Sequence, residues 1–511
     1  MKRRDFLITT LLTSGLIITD PWKSQAASIP EFSKSPFTLG VASGDTQSDR
    51  VIIWTRLAPK PLEGGGMPNI RVPVGWKMAK DPKMTEIVGQ GTVMATPELG
   101  HSVHVDVTQL EANQVYWYQF QVGNYESAIA RTKTLPNPNA SVDQIKFAFA
   151  SCQDWQNGYY VAHKHLAEED LDFVVFLGDY IYERSGNKNT VRQHQGDDCM
   201  TLEEYRNRYA EYKSDPNLQA AHHRFPWIMT WDDHEVDNNY ANLIPEDKQN
   251  LEDFRLRRKE AYQAYYEHTP IRISFQAAEE MAIYRSFELG NLGKLIVLDT
   301  RQYRSDQPCG DGGKPRCQEA TSKTATLLGS QQEQWLQSQL SKSSASWNII
   351  AQQIMMAQYD LDPRPQTGLF NMDHWDGYVE SRRRLLKFVH DNQISNPVVI
   401  TGDIHSSWVN DLKLDFDDPR SPTVATEFVG TSISSLFPQQ YVAAVNLARI
   451  ANPHVKFFEG SKHGYVRCTL TPDYFQSDYR LVSSVLDPKA SIDTLQSFLV
   501  KNGQPGAQNI T

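Results

Sequence analysis

Potential metal ligands follow directly after four apolar runs of this 511-residue chain. The ligands and the runs before them are Cys152 after 146–150, Asp179 and Tyr182 after 173–177, the segment 232–240 after 227–231, and Asp403 and His405 after 397–401. In an open α/β sheet, ligands bind at the carboxyl ends of the strands. The four endings therefore predict one multinuclear metal site rather than four unrelated loops.

The donor types at these positions favour two classes of metal. Thiolate, imidazole and phenolate together favour a transition metal, and the phenolate of Tyr182 suits ferric iron, whereas carboxylates and amides favour a hard ion such as calcium or magnesium. Asp403 and His405 are two residues apart, so both can face one side of an extended segment. Ordinary alternatives exist, with Cys152 as a small buried residue, Tyr182 as a packed aromatic and Asp179 as part of a turn.

The segment 232–240 combines acids, a histidine and two amides. Asp233, Asn238 and Asn239 are candidate metal ligands, and the sequence does not decide which of them faces the metals. Asp233 and His234 are also the candidate catalytic residues, and His234 could protonate the leaving alcohol because its ordinary pKa lies near neutrality. The alternative is a solvated acidic loop, but the apolar run before the segment favours a positioned loop.

The pattern of the chain changes between residues 134 and 144. Residues 37–134 contain strand-like runs separated by Gly, Pro and Asn, which predicts a small all-β sandwich of the immunoglobulin or fibronectin type. From 144 to 511, apolar strands alternate with amphipathic helices, which predicts a layered α/β domain. Helices are predicted near 202–212, 251–267, 330–340 and 377–392, and a C-terminal helix near 491–501.

The first residues predict export. Arg3 and Arg4 precede a short apolar run, 7–18, and small residues near 24–26, the pattern of a twin-arginine signal peptide over residues 1–26. We therefore expect the twin-arginine translocation machinery as a partner and a periplasmic or secreted protein. The apolar run is too short for a stable membrane anchor. A net charge of −10 argues against a basic nucleic-acid-binding surface.

The five cysteines fit an exported protein. Cys309 and Cys317 bracket a short Gly- and Pro-rich segment, which predicts a disulfide loop in an oxidising compartment. The sequence leaves open whether Cys199 pairs with Cys468. Cys152 is the expected unpaired thiol.

The chain resembles the PhoD-like alkaline phosphatases and phosphodiesterases of the metallophosphoesterase superfamily. The segments that carry the resemblance are 37–45, 151–153, 178–183, 231–240, 298–304, 402–405 and 427–432. The resemblance implies a layered metallophosphoesterase-like β-sandwich core flanked by helices. It also implies a ferric ion and adjoining calcium ions held by Cys152, Asp179, Tyr182, Asp403 and His405, with one or more of Asp233, Asn238 and Asn239. Arg301, Arg304 and His463 are the candidates for phosphate contact.

These features predict hydrolysis of phosphate mono- and diesters by attack of a metal-bound oxide or hydroxide on phosphorus. Bound cations reverse the local field, so a negative protein can bind a negative substrate. One alternative is a phospholipase D or other dedicated secreted phosphodiesterase with the same ligands. A non-catalytic adhesive or ligand-binding protein with structural calcium is a second alternative. Such a protein would not require a thiolate, a phenolate and an imidazole at one site.

Overall fold

A computed structural model of the chain describes residues 29–246, 249–273, 275, 280–362, 364 and 368–510. The predicted signal peptide, 1–26, lies outside these residues. Among the residues described, none of the helices combines the length and the apolar character that a membrane crossing requires.

Strands and helices alternate through most of the described chain. In chain order, the strands are β1 Val41–Gly44, β2 Arg50–Arg56, β3 Val72–Ala79, β4 Ile87–Ala95, β5 Ser102–Thr108, β6 Val115–Val122, β7 Tyr125–Glu126, β8 Ala130–Lys133, β9 Ile145–Ala150, β10 Phe173–Leu177, β11 Pro226–Thr230, β12 Arg285–Leu289, β13 Gly293–Val297, β14 Gly313–Lys314, β15 Trp347–Ala351, β16 Phe370–Asn371, β17 Pro397–Thr401, β18 Ser407–Lys413, β19 Thr423–Val429, β20 Val455–Glu459, β21 His463–Leu470, β22 Tyr474–Val482, β23 Ile492–Lys501 and β24 Gln504–Asn509. The α-helices are α1 Val161–Glu168, α2 Leu202–Lys213, α3 Pro216–Arg224, α4 Leu251–His268, α5 Gly329–Ser341, α6 Val379–Asp391 and α7 Val442–Ala448.

Two large mixed sheets carry the fold. One has ten strands in the order β24-β23-β22-β21-β9-β10-β11-β1-β2-β5, and the other has seven in the order β12-β13-β15-β17-β19-β18-β20. The strands β9, β10, β11 and β1 run parallel in the first sheet, as do β13, β15, β17 and β19 in the second. Buried parallel strands read as continuous apolar runs, which is why these strands could be found in the sequence.

The two sheets face each other across an apolar core. Phe147 and Val175 of the first sheet belong to the same buried cluster as Ile349 and Ile400 of the second. Residues of α1, α2, α3 and α4 form a second cluster with the other face of the first sheet, and α5 and α6 do the same for the second sheet. The predicted layered β-sandwich core flanked by helices is confirmed.

The N-terminal strands divide between two sheets. β3, β4, β6, β7 and β8 form a separate antiparallel sheet. β1, β2 and β5 instead extend the ten-stranded sheet, because β1 pairs in parallel with β11. A shared apolar cluster packs these two sets of strands together. One layer of the predicted N-terminal sandwich is therefore continuous with the large sheet.

The prediction of a C-terminal helix near 491–501 is wrong, because Ile492–Lys501 forms strand β23. Ile492, Leu495 and Leu499 have helical spacing, but Leu495 is exposed and Phe498 and Val500 are buried. Pairing with β22 on one side and β24 on the other determines the conformation, as tertiary context often overrides local propensity.

The cysteines follow the prediction in part. Cys309 and Cys317 form the expected disulfide. Cys152, Cys199 and Cys468 are free and buried, so the pairing of Cys199 with Cys468 does not occur.

Candidate active site and metal centre

The four predicted strand ends meet at one edge of the sandwich. β9, β10 and β11 are neighbours in the first sheet, and β17 belongs to the sheet that packs against it. Among the described residues, three groups of potential ligand atoms form at this edge, and within each group the atoms lie within 4.8 Å of one another. The groups are Cys152 with Asp179 and His405, Asp179 with Asp233 and His234, and Asp232 with Asp233 and Asp403. The structure thus brings side chains from all four strand ends into one cluster, called here the ligand cluster.

Five candidate ligands have left-handed backbone conformations. Their φ angles are 58° at Cys152, 55° at Asp179, 48° at Asn239, 64° at Asp403 and 55° at His405. Residues with a side chain rarely adopt these angles, and each such strain costs about 1–3 kcal/mol. Strain concentrated at adjacent loops is a mark of a functional site, because the surrounding fold must impose it.

Two glycines allow the ligand loops to approach closely. Gly178 has a φ of 104°, and a Cβ atom there would lie 2.4 Å from Cβ of Asp232. A Cβ atom at Gly402 would lie 2.5 Å from Oγ of Ser151, in the loop after β9. Larger residues at either position would push neighbouring ligand loops apart.

Glu235 joins the loops after β10 and β11. Its carboxylate accepts backbone hydrogen bonds from Asp179 at 3.1 Å, Tyr180 at 2.6 Å and Asp232 at 2.8 Å. Burial raises the pKa of Glu235 to about 7 despite these three bonds. Glu235 therefore fixes two ligand loops from behind.

Tyr182 lies among three other polar groups of the cluster. Its hydroxyl donates to Oδ2 of Asp179 at 2.8 Å, accepts from Oγ of Ser435 at 2.7 Å and lies 3.0 Å from Nε2 of His405. The other ring nitrogen of His405 lies 3.2 Å from the carbonyl oxygen of Leu436. A carbonyl oxygen only accepts, so Nδ1 carries the proton and the lone pair of Nε2 faces the cluster. Burial lowers the pKa of His405 to about 4, which keeps the imidazole neutral, as a metal ligand must be.

The carboxylates of the cluster are not balanced by their hydrogen bonds. Oδ1 of Asp179, Oδ2 of Asp232 and Oδ1 of Asp233 are buried and have no hydrogen-bond partner among the described residues. Burial first, and then the charge of Asp233, raises the pKa of Asp179 well above its ordinary value. Burial, and then Asp179, likewise raises the pKa of the Cys152 thiol. Buried carboxylate oxygens that lack hydrogen bonds, beside a thiol, a phenol and an imidazole, fit a site for multivalent cations.

Arg301 and Arg304 lie behind the ligand cluster. Nε of Arg301 is 2.5 Å from Oδ1 of Asp232, and its Nη1 is 2.9 Å from Oδ1 of Asp373. Arg304 donates to Tyr378 and to the backbone oxygen of Asp373. Both side chains are buried, and neither lines the cavity that opens beside the cluster. The structure therefore shows Arg301 and Arg304 as counter-ions of buried aspartates, and their contact with phosphate stays a prediction.

His234 lies between the carboxylate of Glu183 and the guanidinium of Arg184 at the rim of the cluster. Its Nδ1 is 2.7 Å from Oε2 of Glu183, and its Nε2 is 2.8 Å from Nη2 of Arg184. Burial alone lowers the pKa of His234, but the charges of Glu183 and Asp233 raise it above its ordinary value. Arg184 is exposed and extends over the ring of Tyr182, so it presents a cation at the edge of the site.

The side chains of Asn238 and Asn239 point to different surroundings. The side-chain amide of Asn238 donates to Glu246 at 2.5 Å in an exposed contact. Asn239 lines the cavity, and its backbone nitrogen donates to Oδ2 of Asp233 at 2.8 Å. The geometry favours Asn239 as the ligand. His463 lies at the start of β21, and burial first, and then the nearby ring of His405, lowers the pKa of His463 to about 4.

Sequence reasoning missed Asp373 and His374, which follow the short strand β16. Nε2 of His374 is 3.1 Å from Oδ2 of Asp403. The same Asp-His pair occurs at Asp233 and His234, and this repetition could have indicated that Asp373 and His374 belong to the site. No long apolar run precedes the second pair, so the strand-end argument could not find it.

A cavity of about 680 Å³ opens beside the ligand cluster. Its polar side includes Asn239, Asp373, His374 and Asp403. The apolar residues in its wall are Met355, Tyr359, Leu361, Leu369, Ile404, Trp408, Phe437, Tyr441, Ala444 and Val445. With cations bound at the adjoining carboxylates, a ligand with one anionic group and one apolar group would fit such a cavity.

The chain is similar to known proteins over most of its length. The family model of the PhoD-like phosphatases matches residues 147–479, and the model of their N-terminal domain matches residues 23–136. Alkaline phosphatase D of Bacillus subtilis (strain 168) is 50% identical over 489 residues, which cover 94% of this chain and 84% of that relative. The solved structure of PhoD has a TM-score of 0.91, with 49% identity and 94% coverage of each chain. The chain belongs to the PhoD-like phosphatase family and is a phosphoric ester hydrolase.

Proposed function

We propose that the enzyme hydrolyses phosphate mono- and diesters with a centre of ferric iron and calcium. The observation that carries this proposal is the set of three buried carboxylate oxygens that accept no hydrogen bond from the described part of the chain, beside a thiol, a phenol and an imidazole. The proposed ligands are Cys152, Asp179, Tyr182, Asp233, Asn239, Asp403 and His405. When bound, such cations offset the charge of the phosphate and acidify water.

The donor types assign the two metals to different parts of the ligand cluster. Cys152, Tyr182 and His405 offer sulfur, phenolate and imidazole, which suit ferric iron. The oxygens of Asp233, Asn239 and Asp403 suit calcium. Asp179 belongs to two of the groups of ligand atoms, one with Cys152 and one with Asp233, and it is the candidate for joining the two kinds of site.

Arg184 and His234 are the proposed contacts to the reacting ester. Arg184 is an exposed guanidinium next to the cluster, and a guanidinium can bind a phosphate oxygen through two donors. His234 would deliver a proton to the leaving alcohol through Nε2, the atom that Arg184 now contacts. Movement of Arg184 onto the phosphate would free Nε2 to take up a proton from water, and the charges of Glu183 and Asp233, which raise the pKa of this imidazole, favour that uptake. Glu183 holds the other ring nitrogen and keeps the imidazole oriented.

A dedicated phosphodiesterase, including a phospholipase D, is the second candidate. The apolar wall of the cavity favours it, because inorganic phosphate and small monoesters offer nothing for that wall to contact. We expect diesters with an apolar alcohol to be better substrates than small polar monoesters.

The test is phosphate or alcohol release from matched mono- and diesters, before and after metal removal. We expect chelation to abolish both activities and iron with calcium to restore them. Retention of full activity after complete metal removal would contradict the proposal. A preference for diesters over monoesters that increases with the apolar character of the alcohol would identify a dedicated phosphodiesterase.

We also propose that the enzyme works outside the cytoplasm. The arginine pair at positions 3 and 4 and the Cys309–Cys317 disulfide both support export, since structural disulfides persist in oxidising compartments. Translocation of a folded protein would let Cys152 bind its metal before it meets that environment.

A further inference from the structure

The disulfide loop, residues 307–317, contacts two segments of the site. Nε2 of Gln307 donates to the backbone oxygen of Asn239 at 2.5 Å and to Oδ1 of Asp373 at 2.9 Å. The backbone oxygen of Gly312 accepts from Met372 at 2.9 Å, immediately before Asp373. The loop therefore connects the segment that carries Asn239 with the segment that carries Asp373.

The side chain of Asp311 fixes the orientation of the Asn239 amide. Nδ2 of Asn239 donates to Oδ2 of Asp311 at 3.1 Å. A carboxylate only accepts hydrogen bonds, so the amide nitrogen must point to Asp311 and the amide oxygen occupies the other branch of the side chain. Asn239 lines the cavity together with Asp403, and an oxygen is the atom that a hard cation would bind.

The backbone of Asp311 is unusual in a way that points to a role for its side chain. Its φ and ψ angles are 60° and 174°, a region that only glycine adopts readily, and it lies between Gly310 and Gly312. Such strain costs about 1–3 kcal/mol and persists where the surrounding structure enforces it. Oδ1 of Asp311 is also buried without a hydrogen-bond partner in the described parts of the chain.

Covalent and backbone contacts hold Asp311 in place. Cys309, two residues before it, is bonded to Cys317, and β14 pairs with β16 just after it. Arg316 donates to Asp376 at 2.9 Å and stacks over the ring of Phe370. The loop is thus closed at its base and attached along one side to the segment before Asp373.

We propose that Asp311 is a positioning residue that turns the amide oxygen of Asn239 toward the ligand cluster, and that the Cys309–Cys317 disulfide keeps Asp311 within reach. Calcium is then held at full strength only after the disulfide has formed. The proposal rests on the proposed metal centre. Loss of an outer partner of a metal ligand typically weakens metal binding by about 10- to 100-fold.

The test compares Asp311→Ala, Asp311→Asn, Asn239→Ala and the double variant Asp311→Ala/Asn239→Ala. Calcium bound per protein is measured against buffered free calcium, together with kcat and KM for a diester. We expect Asp311→Ala to raise the calcium concentration for half-occupancy by about 10- to 100-fold. Asp311→Asn should restore much of the affinity, because its amide oxygen can accept the same bond. The double variant should bind calcium no more weakly than Asn239→Ala, and Asp493→Ala on β23 should match wild type.

The disulfide is tested by replacing Cys309 and Cys317 together with serine. We expect weaker calcium binding in the otherwise wild-type chain and no further loss in the Asp311→Ala background. Wild-type calcium affinity in Asp311→Ala, or in Asn239→Ala, would overturn the proposal. Ester hydrolysis by the wild-type enzyme without bound calcium would overturn both the proposed metal centre and the role of Asp311. This result requires no variant, so it is distinguishable from a failure of the Asp311 proposal alone.

Discussion

The hydroxyl of Tyr182 donates a hydrogen bond to Oδ2 of Asp179 at 2.8 Å. Both residues follow β10, and the left-handed conformation of Asp179 turns the chain so that the two side chains meet. Burial, followed by the charge of Asp179, raises the pKa of the phenol well above its ordinary value. The phenol therefore keeps its proton in the metal-free protein, and a bound cation must displace that proton.

Replacement of Glu235 by Gln should weaken the metal centre without removing a ligand. A glutamine has one acceptor oxygen, and its NH₂ group would face backbone donors that now reach the carboxylate. An unmet buried donor costs about 1–3 kcal/mol, and we expect metal affinity to fall by about 10- to 100-fold. Metal analysis after dialysis against a chelator measures the effect. Glu203→Gln, at an exposed position in the first turn of α2, is the matched control. Equal metal retention in both variants would contradict the role given to Glu235.

Replacement of Asp403 by Asn should remove activity while the fold survives. Asn tolerates a left-handed backbone, so the conformation after β17 can persist. The change removes a negative charge from the cluster and replaces one of the two acceptor oxygens near His374 and Arg301 with an NH₂ donor. We expect turnover to fall by at least about 100-fold, with loss of metal. Asp487→Asn, on an exposed turn, should behave as wild type, and near-normal turnover of Asp403→Asn with reduced metal content would show the proposed mechanism to be wrong.

Lys213 should destabilise the protein at neutral pH. Burial lowers the pKa of its amine from 10.5 to about 7, although Nζ lies 4.2 Å from the centroid of the Trp54 ring. Between these two pKa values the unfolded chain binds a proton that the folded chain does not. The free energy of unfolding therefore rises with pH across that window and is lowest below about pH 7.

Lys213→Met should remove this dependence. We expect the variant to be more stable than wild type by up to about 4 kcal/mol near pH 7, with the difference shrinking toward about pH 10. Urea unfolding at several pH values gives the comparison. Lys164→Met, on the exposed side of α1, should show no such pH-dependent difference. A constant offset between Lys213→Met and wild type would show that Lys213 does not titrate in this way.

The export proposal predicts an effect of residues 3 and 4 on location alone. Changing Arg3 and Arg4 to Lys should leave the precursor in the cytoplasm, folded and loaded with metal. Cell fractionation with metal analysis of the retained protein is the measurement. Undiminished mature enzyme outside the inner membrane would show that export does not depend on the arginine pair.

The ligand cluster was largely predictable because its ligands follow buried parallel strands. The run 173–177 is β10 and the run 397–401 is β17, so the sequence alone was enough to place Asp179 and Asp403 at a common edge. Local sequence carries this signal, since a strand buried on both faces is apolar throughout.

Asp373 and Asp311 could not be placed in the same way. Asp373 follows a two-residue strand, and Asp311 lies in a loop whose sequence indicated only a disulfide. Their positions depend on contacts across long separations, such as the bond between Asp311 and Asn239. The reversal of β23 from predicted helix to strand has the same origin, because pairing with β22 decides it.

Cys152 and Tyr182 are the proposed iron ligands of this phosphatase. The most direct measurement is iron content and visible absorption of the purified enzyme, compared with Tyr182→Phe and with Tyr180→Phe. Tyr180 is the matched control, because it is buried nearby but its hydroxyl contacts His222 instead of the cluster. We predict bound iron and a charge-transfer band in wild type and Tyr180→Phe, and loss of the band with lowered activity in Tyr182→Phe. A colourless, iron-free and fully active wild-type enzyme would contradict the claim.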